Sequence, residues 1–327
     1  MLFSNIPQIP LLNSTPIDHL VNLGEAWNHP GLYLKRDDLL GLGMGGNKVR
    51  SLEFWFGEAL AQQADLVLVE GQATSNQCRA VAATARRFKV ECHIIHNSPE
   101  PTQLQGNDML NNLMSTKRIY LGAVDEATRR KYLENYAAEQ KALGRKPYII
   151  GDQVLGALGY VKAALEVHTQ ASMSPYNIDF RHLVICGAGG PTESGLLWGA
   201  SLLGKAFKVH VCSSEFPKDE ITELILRIYK GVSQKLNLTP PIDPREILNV
   251  YDFELGDGYD IPTPASIDAI RELAENEGIF MESTYNGKVL AALKVLIRNE
   301  IIPANEAVCL FHTGGIPALL AQGERFI

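Results

Sequence analysis

No CxxC pair occurs among the five cysteines of this 327-residue chain, no basic excess offsets its 37 acidic side chains, and no apolar run approaches the length of a membrane span. Each absence removes a class of protein. Cys78, Cys92, Cys186, Cys212 and Cys309 are odd in number and mostly sit inside apolar, strand-like runs, which fits buried thiols in a reducing compartment better than disulfides or zinc. In "HIIH", His93 and His96 fall on opposite faces of a strand, so no shared metal is expected. With 30 basic residues and a formal net charge of -7, the chain has no field to hold a phosphate backbone. Nucleic acid is therefore not the expected partner, and small molecules are. The N-terminal stretch lacks a basic region followed by an unbroken apolar run, so a cytoplasmic protein without membrane attachment is expected.

What the chain does have is a hydrophobic content of 46%, enough for a large core and for two domains. Short apolar runs alternate with longer segments of helical period, the α/β signature. "DLVLVEG" (65–71), "VECHIIH" (90–96), "RHLVICG" (181–187), "KVHVCSS" (208–214) and "EAVCLFH" (306–312) read as buried strands. Ser75 is a plausible cap for the helix "NQCRAVAATARRF". Strands that each feed a helix favour parallel sheets covered on both faces. The polar stretch 97–107 and "LTPPIDPRE" (238–246) read as loops.

In open parallel sheets ligands gather at the carboxyl ends of strands, and four turns of unusual chemistry lie at such places. "CGAGGPTESG" (186–195) joins a small-residue turn to a helix start, the arrangement with which backbone N-H groups hold a phosphate. It is not the dinucleotide fingerprint, because Thr192 stands where a third glycine would follow Gly187 and Gly189. "GQATSNQCR" (71–79) clusters Ser75, Asn76 and Gln77 at a helix N-terminus, "HTGG" (312–315) places a hydroxyl beyond a strand, and "GMGGNKVR" (43–50) sets Lys48 behind two glycines. Each turn alone is equally consistent with capping, packing or a solvated lysine. Together they fit one cofactor, pyridoxal phosphate, whose aldehyde needs an amine, whose phosphate needs backbone donors, and whose ring oxygen and ring nitrogen need polar partners.

The segments "LYLKRDDLLGLGMGGNKVRSLEF", "TSNQCRAVAA", "CGAGGPTESG", "YDIPTPASIDAIRELAENEGIFMESTYNGK" and "FHTGGIPALLA" follow one another in an order and spacing that resembles the fold-type II pyridoxal phosphate enzymes. Within them, the chain is similar to the branch that holds D-cysteine desulfhydrase and 1-aminocyclopropane-1-carboxylate (ACC) deaminase. The resemblance covers nearly the whole chain. It implies two open, twisted parallel-sheet domains, a larger one from 1–51 and 165–327 and a smaller inserted one from 52–164, with pyridoxal 5'-phosphate in the cleft and a homodimer as the assembly. By the same resemblance Lys48 is the Schiff-base lysine, flanked by Asn47 and Arg50. Asn76 would bond the ring oxygen, Ser75 and Gln77 would receive the substrate carboxylate, and Ser75 could also act in catalysis. Ala188, Gly189, Gly190 and Thr192 match the phosphate loop, Tyr259 and Tyr285 match two active-site tyrosines, and Thr313 matches the residue near the ring nitrogen.

Two departures stand out. Pro191, where the family has Gly or Ser, cannot donate an N-H but is tolerated at a first helical position. "ESTYNGK" places Asn286 where the family commonly has threonine or glutamate. Asn286 and Thr313 are both neutral, so nothing in these motifs holds a proton on the ring nitrogen, and a modest electron sink is expected. That favours β-elimination from D-cysteine over opening of the ACC ring, although Gln77 resembles the deaminase form of the cap. A binding protein without turnover would need neither the tyrosine pair nor the carboxylate cap.

Overall fold

The computed structural model describes residues 2–11, 13–173, 177–204 and 207–327. Ten strands are present among them: β1 (Ile17–His19), β2 (Leu32–Arg36), β3 (Leu66–Glu70), β4 (Glu91–His96), β5 (Lys117–Tyr120), β6 (Pro147–Ile149), β7 (Phe180–Gly187), β8 (Lys208–Ser213), β9 (Leu248–Tyr251) and β10 (Ala307–His312). They form a six-stranded sheet, β1-β2-β10-β7-β8-β9, and a four-stranded sheet, β5-β4-β3-β6. Every neighbouring pair is parallel except β1 with β2, which runs antiparallel at the edge of the larger sheet. The five runs read as strands from the sequence, β3, β4, β7, β8 and β10, all pair in parallel; the antiparallel β1 was not among them.

The central strands are apolar on both faces because helices cover both. In β7, Leu183 and Ile185 pack into one core with Leu196, Leu197 and Trp198, while Val184 and Cys186 pack into a second with Leu290 and Leu293. The first core is continuous from the larger sheet to Val67, Val69 and Ile94 of the smaller one. The helices Lys48–Ala61, Asn76–Phe88 and Gln153–Ala171 contribute to it. All five cysteines are buried and free. His93 bonds to Glu91 and Tyr136, whereas His96 bonds to the Gly71 carbonyl and stacks on Tyr120, so the two rings serve separate packing roles. Among the described residues no helix is long and apolar enough to cross a membrane.

One buried ionic cluster ties the lysine helix to its surroundings. Arg50 donates to both carboxylate oxygens of Asp37 at 2.7 and 2.6 Å and to Glu166 at 2.9 Å. Lys35, Thr15 and Tyr160 complete the cluster through Glu166 and Asp37. It joins the end of β2, the helix Lys48–Ala61 and the helix Gln153–Ala171 two residues from Lys48.

Candidate functional site

The carboxyl ends of β3, β7, β8 and β10 open onto one cavity of about 570 Å³. Lys48, Ser75, Asn76, Gln77, Ala188, Gly189, Gly190, Thr192, Tyr259, Tyr285 and Thr313 all line it, as do Asn47, Pro191 and Asn286. Residues separated by more than two hundred positions thus share one wall.

The glycines before Lys48 are required by close approach. Gly46 has φ of +99°, and a Cβ there would lie 2.9 Å from the Thr313 carbonyl oxygen. The Asn47 N-H donates to that same carbonyl at 2.9 Å, so the lysine turn and the "HTGG" turn are hydrogen-bonded back to back. Lys48 then opens the helix Lys48–Ala61. Among the described residues its amine has no hydrogen-bond or ion-pair partner. Burial pushes the amine below its ordinary pKa, an effect partly offset by Glu193, Cys186 and Glu215. An amine so placed is available as a nucleophile and as a base.

Asn76 is oriented from behind. The Arg79 guanidinium, only 1% exposed, donates through Nε to Asn107 Oδ1 at 2.8 Å. This fixes the Asn107 amide, whose Nδ2 donates to Asn76 Oδ1 at 2.9 Å. The acceptor of Asn76 is thereby used, and its Nδ2 is the group left to offer to the cavity. Ser75 caps the same helix by accepting the Cys78 N-H at 3.2 Å, which leaves its own hydroxyl proton free beside the positive end of the helix dipole. A carboxylate is the ligand such an end favours.

The loop 188–192 turns through Gly190, whose φ of +98° suits glycine, and Pro191 starts the helix Pro191–Leu202, where its missing N-H costs little. Thr192 Oγ1 accepts from Asn47 Nδ2 at 2.9 Å, which joins this loop to the lysine turn. Space above Gly189 is open, as a phosphate would need. Glu193 reaches back into the loop, where one carboxylate oxygen accepts the N-H groups of Ala188 and Gly190, both at 2.9 Å. Burial pushes Glu193 up in pKa.

Tyr259 and Tyr285 share a hydroxyl–hydroxyl hydrogen bond of 2.8 Å, their rings edge to face. Burial raises Tyr259 to about 12 and also pushes Tyr285 well up, so both stay protonated at neutral pH and act as donors, not bases. Asn286 bridges two segments: its Oδ1 accepts from the Thr313 N-H and hydroxyl at 2.9 and 3.0 Å, and its Nδ2 donates to Glu282 at 2.9 Å and to the Gly314 carbonyl at 2.8 Å.

Three glutamates at or behind the wall were not anticipated: Glu193, Glu215 and Glu282. Glu215 lies two residues beyond β8, at the carboxyl end of a strand, and that position is a usable signal. It has no hydrogen-bond partner among the described residues, and burial with Glu126 nearby raises it to about 7. Glu282 does not touch the cavity, and no local pattern marked it.

The donor set suits pyridoxal phosphate: a free amine, an open glycine turn with a threonine, an amide donor and a hydroxyl in one cavity. Comparison with known proteins agrees. A putative ACC deaminase of Pyrococcus horikoshii is 31% identical over 331 aligned positions, covering 100% of this chain and 97% of the relative. D-cysteine desulfhydrase of Yersinia pestis is also 31% identical, over 97% of this chain and 96% of its own length. A crystal structure of an ACC deaminase homologue superposes with a TM-score of 0.89 at 29% identity, covering 99% of this chain and 97% of that one. A fungal L-serine ammonia-lyase from Rhizomucor miehei, at 17% identity and a TM-score of 0.66, shares the fold over 97% of this chain and 99% of its own. The family described as pyridoxal-phosphate dependent enzyme matches residues 10–314, and the chain belongs to it, as a fold-type II member with pyridoxal phosphate as cofactor.

Proposed function

We propose that the protein is a lyase acting on a small amino acid, with D-cysteine as its first substrate and pyruvate, ammonia and hydrogen sulfide as products. The observation that carries this is the partner-free Lys48 amine in one cavity with the Ser75 helix cap and the 188–192 loop. The bound cofactor supplies an aldehyde that links covalently to amines and a ring that takes up an electron pair from Cα. Lys48 would hold the cofactor covalently and, once released, its amine would accept the Cα proton. Ser75, Gln77 and the helix N-terminus hold the substrate carboxylate. Asn76 would donate to the ring oxygen, and the loop N-H groups that Glu193 leaves open would hold the phosphate together with Thr192. The Cβ–S bond breaks with its electron pair leaving on sulfur, and water completes the conversion to pyruvate and ammonia.

A second reading, ACC deamination, is supported by the protonated Tyr259–Tyr285 pair. ACC has no Cα proton for Lys48 to take, and a hydroxyl donor in the cavity would assist ring opening. A carrier without turnover would need neither that pair nor the Ser75 cap.

Borohydride reduction followed by peptide mapping should place the pyridoxyl group on Lys48, and Lys48→Ala should abolish the adduct. Sulfide and pyruvate should appear from D-cysteine. An adduct on another lysine would sink the site, and 2-oxobutyrate from ACC with no sulfide from either cysteine enantiomer would promote the deaminase.

A further inference from the structure

Asn286 and Thr313, read as two neutral side chains, give no reason for a protonated ring nitrogen. The hydrogen bonds around them do. Asn286 Nδ2 lies 2.9 Å from Glu282 Oε1 and 2.8 Å from the Gly314 carbonyl oxygen. Both of these are acceptors, so the amide cannot be reversed. Its Oδ1 therefore faces Thr313, from which it accepts the N-H at 2.9 Å and the hydroxyl at 3.0 Å. Only the threonine can supply the proton between those two oxygens. The Thr313 hydroxyl is thus committed as a donor to Asn286. What remains on it for a ligand is a lone pair, and Thr313 lines the cavity.

Glu282 makes this arrangement directional. Its carboxylate accepts the N-H groups of Thr284 at 2.6 Å, Tyr285 at 3.1 Å and Asn286 at 2.8 Å, besides the Asn286 amide. Burial pushes this carboxyl above its ordinary pKa, but every hydrogen-bond partner is a donor, which favours the anion and leaves no acceptor for a proton. Its 0% exposure keeps that charge unscreened by water.

We propose that Glu282, through Asn286, fixes Thr313 as a hydrogen-bond acceptor and so holds a proton on the cofactor's ring nitrogen. This rests on the function proposed above and on the placement of the ring nitrogen near Thr313 that the family resemblance implies. A neutral pyridine nitrogen has only a lone pair and would meet the Thr313 lone pair without a proton between them. A pyridinium N-H fits. Glu282 and Asn286 are positioning residues here, and Thr313 is the residue in contact. The consequence for substrate choice is direct: the ring would be a strong electron sink, so the neutrality of Asn286 and Thr313 does not disfavour ACC.

The test is the ¹⁵N resonance of ring-labelled pyridoxal phosphate in the reconstituted holoenzyme, because its shift separates protonated from unprotonated ring nitrogen without reference to turnover. The wild-type protein should show a protonated nitrogen at neutral pH. Thr313→Val keeps the shape, removes the acceptor and should lower the ring-nitrogen pKa by about one to two units. Thr313→Ser should restore the wild-type resonance, and Glu282→Gln should shift it in the direction of the valine variant. An unprotonated nitrogen in the wild type, or a resonance indifferent to Thr313→Val, overturns the proposal while a Lys48 adduct leaves the cofactor site standing. Failure to form any Lys48 adduct would overturn both.

Discussion

Replacing Arg50 with methionine removes the central cation from a cluster that has left water altogether. The Arg50 and Asp37 side chains are both 0% exposed, and three of the guanidinium's bonds run at 2.6, 2.7 and 2.9 Å to Asp37 and Glu166. Without it, Glu166 keeps Lys35, but Asp37 keeps only the hydroxyls of Thr15 and Tyr160, at 2.8 and 2.7 Å. Leaving one buried charge of a pair unpartnered costs about 3–5 kcal/mol. Unfolding entropy near about 2.1 cal/mol/K per residue amounts, over 327 residues, to about 0.7 kcal/mol/K, so the midpoint should fall by about 4–7 °C. Urea and thermal unfolding, followed through the buried Trp55 and Trp198, would measure it. Asp37→Asn in the same background should recover part of the loss, because it removes the stranded charge, and the double variant should be less damaged than the two singles summed. Strict additivity, or an Arg50→Met variant within about 1 kcal/mol of wild type, would show that Asp37 is not left as a stranded charge. The surviving fold should still carry its cofactor on Lys48, since the Asn47 to Thr313 bond anchors that turn independently.

Glu193→Gln keeps an acceptor for the Ala188 and Gly190 N-H groups and removes a buried negative charge from the phosphate loop. Pyridoxal phosphate should therefore bind on the order of tenfold more tightly, while pyridoxal, which lacks the phosphate, should bind unchanged; equal effects on both would show that Glu193 does not face the phosphate. His210 is 1% exposed, and burial, with His182 and Lys208 nearby, pushes it down to about 3. A folded value below the ordinary 6.5 means that the unfolded chain takes up the proton first as pH falls. The stability held above 6.5 is thus lost progressively towards about 3, and at about pH 5 the loss due to this ring is about 2 kcal/mol. Unfolding of His210→Gln should lack that component, and an acid dependence identical to wild type would show that the ring is not held neutral.

How much of this was legible in the chain depended on whether the signal was local. β3, β4, β7, β8 and β10 are flanked by strands or helices on all sides, so they read as apolar runs with clean ends. β5 ("KRIY") and β9 ("LNVY") are short edge strands with half-polar faces, and β6 ("PYI") is only three residues long; nothing in their composition separates them from loop. The helix Asn76–Phe88 was delimited by its serine cap, whereas Glu126–Ala142 is charged on most of its surface and shows little apolar periodicity. The four candidate turns could be found because parallel topology delivers strand ends to one side of a sheet, whereas Tyr259 and Tyr285 rested on the family resemblance. What stands behind them could not. Asn107 lies 31 positions from Asn76, and Glu282 reaches Thr313 only by way of Asn286.

Those hidden residues give the cavity its polarity. Asn76 and Thr313 are neutral, and either could in isolation donate or accept. Arg79, buried and lowered only to about 10, stays cationic and, through Asn107, turns Asn76 into a donor. Glu282, buried among N-H groups, works through Asn286 and turns Thr313 into an acceptor. In each case an ion without a role in contact sets the hydrogen-bond sense of a neutral residue that has one. Dipoles fixed in this way do not have to reorient when charge develops on a ligand, which is the condition under which polar walls stabilise it most. The residue types on the wall therefore understate its electrostatics, and reading the reaction from Asn286 and Thr313 alone misjudges the sink by the charge that stands one residue further back.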